Sequence, residues 1–146
     1  MAAPSRTESY LPEGMPAPAP HKDGLGAEFW EATQRHELLV QRCRSCGHMW
    51  FPPLPNCTRC LSTDVEWVAT SGRGTVFSVI VYHQGWLPGY KEDLPYDVAI
   101  VELEEGVRVI SNIVEIEPER IEIGMRVIAT FDDVDQETSI PRFKPA

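Results

Sequence analysis

Arg42 to Cys60 reads RCRSCGHMWFPPLPNCTRC and holds all four cysteines of the chain, as two Cys-x-x-Cys pairs, Cys43/Cys46 and Cys57/Cys60, separated by ten residues. Two short thiolate-bearing turns at that spacing face one another across a small hairpin and form a tetrahedral zinc site. Backbone N–H groups after the first cysteine of each pair point at its sulfur. Gly47 closes the first turn with the freedom of a residue lacking Cβ; Leu61 stands in its place in the second, which makes that knuckle the less favourable one. Paired disulfides would staple little, and no secretory signal is read in the amino-terminal residues. A thioredoxin-type pair needs a preceding strand and a following helix, and neither pair has that context. Rubredoxin-type iron takes the same four ligands, so the ligand set is better defined than the metal. With cysteine at all four positions no coordination site stays open for substrate or water, and zinc is expected as a folding element, not a catalyst.

Working outward, Glu37–Arg42 reads as a strand into the first knuckle and Met49–Phe51 as a strand out of it, a minimal antiparallel hairpin around the metal. Pro52, Pro53 and Pro55 then forbid regular pairing up to the second knuckle. Val65–Ala69 alternates as an exiting strand, and Ser71-Gly72-Arg73-Gly74 is a turn. Upstream, Ala27–His36 (AEFWEATQRH) is a short amphipathic helix with Phe29, Trp30 and Thr33 on one side. Phe29 and Trp30 either pack on the domain or contact another subunit. Residues 1–26 carry five prolines among Ala, Ser and Glu and read as an arm, disordered or draped over a partner. The expected organisation is an arm over 1–26, helix plus ribbon over 27–70, and a barrel over 71–146.

Beyond the turn, β-type runs occur at Thr75–His83, Asp97–Glu104, Val107–Val114, Arg126–Phe131 and, briefly, near Arg142 and Phe143. Glu105-Gly106 closes a tight hairpin, and Pro118–Gly124 is a helical turn or loop. The expected fold is mainly β: an N-terminal helix, a four-cysteine zinc ribbon, then a five-stranded OB-type barrel (OB-fold), with an open β-sandwich fragment as runner-up. Gln84–Tyr96 is longer than the usual hairpin connection and carries Trp86, Leu87, Tyr90 and Tyr96. Such an aromatic loop at a barrel rim suits a binding role; alternatively Trp86 and Tyr96 fold back to plug one barrel end.

The chain has 146 residues with 42% hydrophobic content, enough for a compact core, and 13 Lys and Arg against 22 Asp and Glu give a formal charge of -9. Four thiolates and one Zn2+ make it two units more negative. Arg42, Arg44 and Arg59 flank the ligands and are expected to offset the charge of the zinc–thiolate centre. The apolar runs are too short to span a membrane, and reduced cysteines without an export signal point to the cytoplasm.

Several segments, in order, carry a resemblance: FWEA at Phe29–Ala32, the paired knuckles, SGRGTVFS at Ser71–Ser78, LPYDVAIVELEEG at Leu94–Gly106, IGMRV at Ile123–Val127 and IPRFKP at Ile140–Pro145. Taken together they resemble the family once called domain of unknown function thirty-five, a rubredoxin-like zinc ribbon followed by an acyl-CoA-associated OB-fold. That resemblance implies a non-catalytic accessory subunit of thiolase-like condensing enzymes, of lipid-transfer-type thiolases acting as aldolases, or of hot-dog hydratases in steroid or lipid degradation. The partner would carry the catalytic residues, and a coenzyme A thioester would be a shared ligand. Phe29, Trp30, Trp86, Leu87 and Tyr90 are the candidate partner or substrate contacts. The glycine often seen before the family's final strand is missing across Gln136–Ser139, which leaves the register of that strand open.

The sequence itself shows no catalytic constellation: His21, His36, His48 and His83 are scattered, and Ser71, Ser78 and Ser111 lack a nucleophile-elbow context. The alternative function is a nucleic-acid-binding zinc-ribbon and OB module, but phosphate binding requires clustered Lys and Arg, which this acidic chain lacks. We therefore expect negligible affinity for a single-stranded oligonucleotide in a fluorescence titration at low salt, where electrostatic attraction is least screened. Micromolar binding there would reverse the ranking.

Overall fold

The computed structural model describes residues 20–84 and 93–146. A three-residue 3-10 turn at Gly24–Gly26 leads into helix α1, Ala27–Gln34. The helix is two residues shorter than its sequence pattern, because His36 adopts a left-handed φ of 58° and turns the chain away. It buries Phe29, Ala32 and Thr33, while Trp30 is half-buried.

Strands β1 (Leu39–Cys43), β2 (Met49–Trp50) and β3 (Val65–Ala69) follow, and all are antiparallel in the order β2-β1-β3. The ribbon is thus larger than the expected hairpin. β3 returns from the second knuckle and pairs along the whole of β1, from Leu39 opposite Ala69 to Cys43 opposite Val65.

The second sheet contains β4 (Arg73–Tyr82), β5 (Tyr96–Leu103), β6 (Arg108–Ser111), β7 (Arg126–Asp133) and β8 (Ser139–Pro145), in the order β6-β5-β4-β7-β8. Its two edges meet. Ile113, just past β6, forms a parallel bridge with Phe143 of β8; the Val114 N–H donates to the Phe143 carbonyl at 2.7 Å, and the Phe143 N–H donates to the Asn112 carbonyl at 3.0 Å. That contact curls the sheet into an OB-like barrel and removes the edges that an open sheet would leave unpaired. The closure is anchored by Asp97, 3% exposed, whose carboxylate accepts the Ile113 N–H at 2.7 Å.

The last strand is long, seven residues, and its register is set by antiparallel pairing from Asp133 opposite Ser139 to Val127 opposite Pro145. The missing glycine does no harm, since the turn closes through the Val134 N–H donating to the Thr138 carbonyl at 2.9 Å.

Ribbon and barrel share one core. Phe29 of α1 and Leu38 and Val40 of the ribbon pack with Val76, Val101, Val109, Ile113, Val127 and Phe143 of the barrel. α1 is also pinned from outside. His36 Nε2 lies 2.9 Å from an Asp133 carboxylate oxygen with its ring stacked on Phe131, and Gln34 donates to the Glu137 carbonyl at 2.8 Å. No helix among the described residues is long and apolar enough to cross a membrane.

Gly74 is required where β4 passes close to β5. A Cβ there would stand 2.5 Å from the Glu102 carbonyl oxygen and 2.8 Å from Val101 Cγ1, both held by the ladder. Gly74→Ala should therefore destabilise the barrel by about 1–3 kcal/mol, the usual cost of overpacking, without loss of bound metal. Urea denaturation with elemental analysis of the folded variant checks both parts.

Candidate metal centre

The four cysteines reach the centre from two turns of the same construction. In the first, Cys43 ends β1, the Gly47 N–H donates to the Cys43 carbonyl at 2.8 Å, and the Cys43 N–H donates to the His48 carbonyl at 2.8 Å. In the second, the Leu61 N–H donates to the Cys57 carbonyl at 3.1 Å and the Cys57 N–H to the Ser62 carbonyl at 2.9 Å. Gly47 has φ +77° and Leu61 has φ +62°, so both knuckles close through a left-handed residue. Leu61 takes that conformation despite its Cβ, a cost of about 1–2 kcal/mol that the weaker second knuckle bears.

The sulfurs converge. All four Sγ atoms lie within 4.8 Å of one another, with Cys43–Cys60 and Cys46–Cys57 both at 3.6 Å. A tetrahedron with metal–sulfur bonds of about 2.3 Å has edges of about 3.8 Å, close to the two 3.6 Å pairs, so the ligand set is gathered as zinc requires. The N–H groups of Arg59 and Cys60 point at Cys57 Sγ at 3.3 and 3.5 Å, as the knuckle reading requires. Cys43 and Cys57 are buried and Cys46 and Cys60 exposed, which places the centre at the ribbon tip with one side against protein.

Electrostatics agree with a divalent occupant. Burial pushes the Cys43 thiol up, but hydrogen bonds from the Cys46 and Ser45 backbone and from the Cys60 side chain outweigh it and bring it down to about 6. The Ser62 backbone favours a Cys60 thiolate, yet burial and the neighbouring Cys43, Cys46 and Cys57 side chains push that thiol up to about 12. Without a cation, then, the Cys60 sulfur holds its proton while its neighbour Cys43 is favoured as thiolate. A metal ion of charge +2 removes the conflict and allows four thiolates.

Two side-chain contacts that the motif alone does not announce tie the knuckles together. Ser45 Oγ and Ser62 Oγ are 3.0 Å apart, and His48 Nε2 is 2.9 Å from Thr58 Oγ1. His48 and Ser62 each stand two residues past the second cysteine of a pair, and that repeat was the available signal. Behind the ligands Trp50, 6% exposed, packs with Cys43, Cys57 and Val65 and stacks on His48 at 5.9 Å. Of the flanking arginines expected to offset the thiolate charge, two are engaged elsewhere. Arg42 meets Glu66 at 2.5 Å, and Arg44 meets Glu66 at 3.1 Å and Asp64 at 3.2 Å, because pairing of β1 with β3 sets these side chains beside one another. The Arg42 and Arg44 hydrogen bonds hold the Glu66 carboxyl below its ordinary value.

The other candidates lie apart from the metal. Phe29 is 4% exposed and packs against Trp30 at 5.1 Å, Phe51 at 5.2 Å and Trp67 at 6.4 Å. Of its two readings, that burial favours packing within the domain, and Trp30 is the half-exposed aromatic of the helix. Trp86, Leu87 and Tyr90 lie outside the described residues. Tyr96 stacks on Tyr82 at 5.2 Å. At the end of the barrel a cleft of about 700 Å³ is lined by Tyr96, Ile113, Ile116, Phe131 and Arg120, among others.

Fold and site together define a rubredoxin-like four-cysteine ribbon joined to an OB barrel. Family models for these same two parts match, one described as the ChsH2 rubredoxin-like zinc ribbon domain over residues 30–66 and the other as the ChsH2 C-terminal OB-fold domain over residues 67–132. The chain belongs to the DUF35 family. It is 36% identical to a DUF35 domain-containing scaffold protein of Methanocaldococcus jannaschii, over 80% of this chain and 83% of that protein. It is 40% identical to the 3-oxo-4,17-pregnadiene-20-carboxyl-CoA hydratase alpha subunit of Mycobacterium tuberculosis, over 84% of this chain but 38% of that protein. The chain thus spans less than half the length of the hydratase alpha subunits it matches. Among solved structures, it superposes on a chain of the Ltp2-ChsH2(DUF35) aldolase with a TM-score of 0.75 and 41% identity, covering 88% of this chain and 98% of that one.

Replacing Cys43 or Cys60 by Ser should unfold the ribbon. Three thiolates leave the metal under-coordinated, and structural zinc contributes about 10–16 kcal/mol in isolated fingers. Elemental analysis should find close to one zinc in the wild type; less than half an equivalent of any metal in folded protein would refute a structural centre.

Proposed function

We propose that this chain is a non-catalytic accessory subunit that binds and supports a thiolase-like acyl-CoA enzyme, a lipid-transfer-type thiolase or aldolase acting in steroid or lipid side-chain degradation in the cytoplasm. The observation that carries the reading is the superposition on nearly the whole of one chain of the Ltp2-ChsH2(DUF35) aldolase. The metal chemistry is consistent with it. A centre with four cysteine donors holds the ribbon's two turns together and has no open position at which to polarise a carbonyl or activate water. Catalytic residues then belong to the partner. A hot-dog hydratase is the alternative partner, favoured by the match to the hydratase alpha subunit.

A coenzyme A thioester as a ligand shared with the partner is part of the same proposal. The cleft at the barrel end has room for a segment of such a molecule: Ile113, Ile116 and Phe131 offer apolar contacts and Arg120 a cation, beside the carboxylates of Glu115, Glu117 and Asp132. Trp30 and the segment carrying Trp86, Leu87 and Tyr90 are proposed as partner contacts, since aromatics are enriched at interface centres.

Reconstitution tests this. Mixed with the Ltp2 aldolase subunit, the chain should form a stable complex and support acyl-CoA aldol cleavage, and alone it should have no such activity. Turnover by the chain alone at the rate of the pair would overturn the accessory role. Trp86→Ala should weaken assembly by more than about 2 kcal/mol with an unchanged melt. A loss of stability of about 3–5 kcal/mol with intact assembly would instead assign Trp86 to the barrel interior.

A further inference from the structure

The outer face of β4, β5 and β6 is apolar where an outer face is ordinarily polar. β5 alternates strictly, with Asp97, Ala99, Val101 and Leu103 buried inside the barrel and Tyr96, Val98, Ile100 and Glu102 outward. In a solvated antiparallel sheet the outward set is polar, and strands covered on both faces read as continuous apolar runs. Here the runs are nearly continuous, VFSVIVY over Val76–Tyr82 and VAIV over Val98–Val101, interrupted by Ser78 opposite Ile100.

The register assembles these side chains into one patch. Val98 lies opposite Ile80, Ile100 lies opposite Ile110, and Ile80 and Ile110 are 52% and 70% exposed. Phe77 joins them through a bulge. Val76 pairs with Val101 and Ser78 with Ile100, so Phe77 is the extra residue and its ring comes to the outside, 43% exposed. The Arg108 guanidinium sits 3.6 Å over that ring and donates to Glu102 at 2.9 Å. The charges of Arg108 and Glu102 are therefore neutralised within the face.

We infer that this outer face of the β4–β5–β6 sheet is the surface on which the thiolase-like subunit seats, an inference that rests on the accessory-subunit reading above. Charge selects that occupant over a second copy of this chain. Two copies would each bring a formal charge of -9 to the contact, whereas a partner offering basic groups around an apolar face would be attracted by that charge. Size agrees. Three strands spaced about 4.8 Å apart make a patch that suits the apolar centre of a standard interface of about 800 Å² per partner, with the remainder supplied by a polar rim.

Binding of the full chain to the Ltp2 aldolase subunit, measured by isothermal titration with sedimentation of each component, tests the surface. Ile80→Glu and Ile110→Glu should each weaken the complex at least about thirtyfold, the factor equivalent to an interface hot spot, with zinc content and melting temperature retained. Ile110→Ser is the milder variant, expected to weaken it by about tenfold should a glutamate disturb the sheet. Ile123→Ser, 72% exposed and outside the three strands, should leave affinity unchanged. Wild-type affinity in the Ile80 and Ile110 variants would overturn the inference, as would a loss confined to Ile123→Ser. A wild-type homodimer that Ile80→Glu dissociates would replace the partner with a second copy. Absence of any complex with the wild-type chain would refute the accessory reading first, and is told apart because it precedes any substitution.

Discussion

Four sulfurs packed within 4.8 Å of one another cannot all be anionic unless a cation sits among them, and the order of the ribbon follows from that constraint. The strand β2 contributes only two residues, and the loop between the knuckles is interrupted by prolines, so backbone pairing alone holds the ribbon tip weakly. Metal ligation closes both turns at once and brings Cys57 and Cys60 back to the end of β1. The return path of the chain then becomes β3, which covers β1 along its length.

Through β1 the same constraint reaches the barrel. Leu38 and Val40 extend from the ribbon into the core that also contains Val101, Val127 and Phe143. The helix adds Phe29 to this core and is held from outside by the His36–Asp133 pair; the neighbouring Ser139 side chain, and after it His36, keep the Asp133 carboxyl below its ordinary value. The barrel supplies its own closure, where Asp97, Asn112 and Arg142 form a chain of polar contacts beside the Ile113–Phe143 bridge. Ribbon and barrel are two sequence modules built around one hydrophobic core.

A metal centre closed to outside ligands and an acidic surface suit a protein that organises another. The metal is used for rigidity, the barrel interior is filled by side chains, and the surfaces of the described residues include a cleft at the barrel end and an apolar outer sheet. Rigid presentation of such surfaces lowers the ordering cost of association, which is the physical advantage a metal-stabilised module brings to an assembly.

Ligand spacing, proline and glycine positions and period-two alternation are local properties of the chain, and what they determine was legible in the sequence. The four ligands, the positive φ at Gly47, the helix at Phe29, the hairpin at Gly106 and the approximate bounds of the first four barrel strands belong to that set. The tertiary structure decided the rest. Phe29 and Trp30 are neighbours with equal claim to a surface, and only the placement of Phe51 and Trp67 turned the first inward. Arg42 and Arg44 sit beside the ligands in sequence, yet Glu66, more than twenty residues on, takes both once β3 pairs with β1. The bulge at Phe77, the register of β8 and the bridge that closes the barrel likewise depend on which distant strand is adjacent. Contacts between positions far apart in the chain are chosen by the packing of the whole core, and no local pattern encodes them.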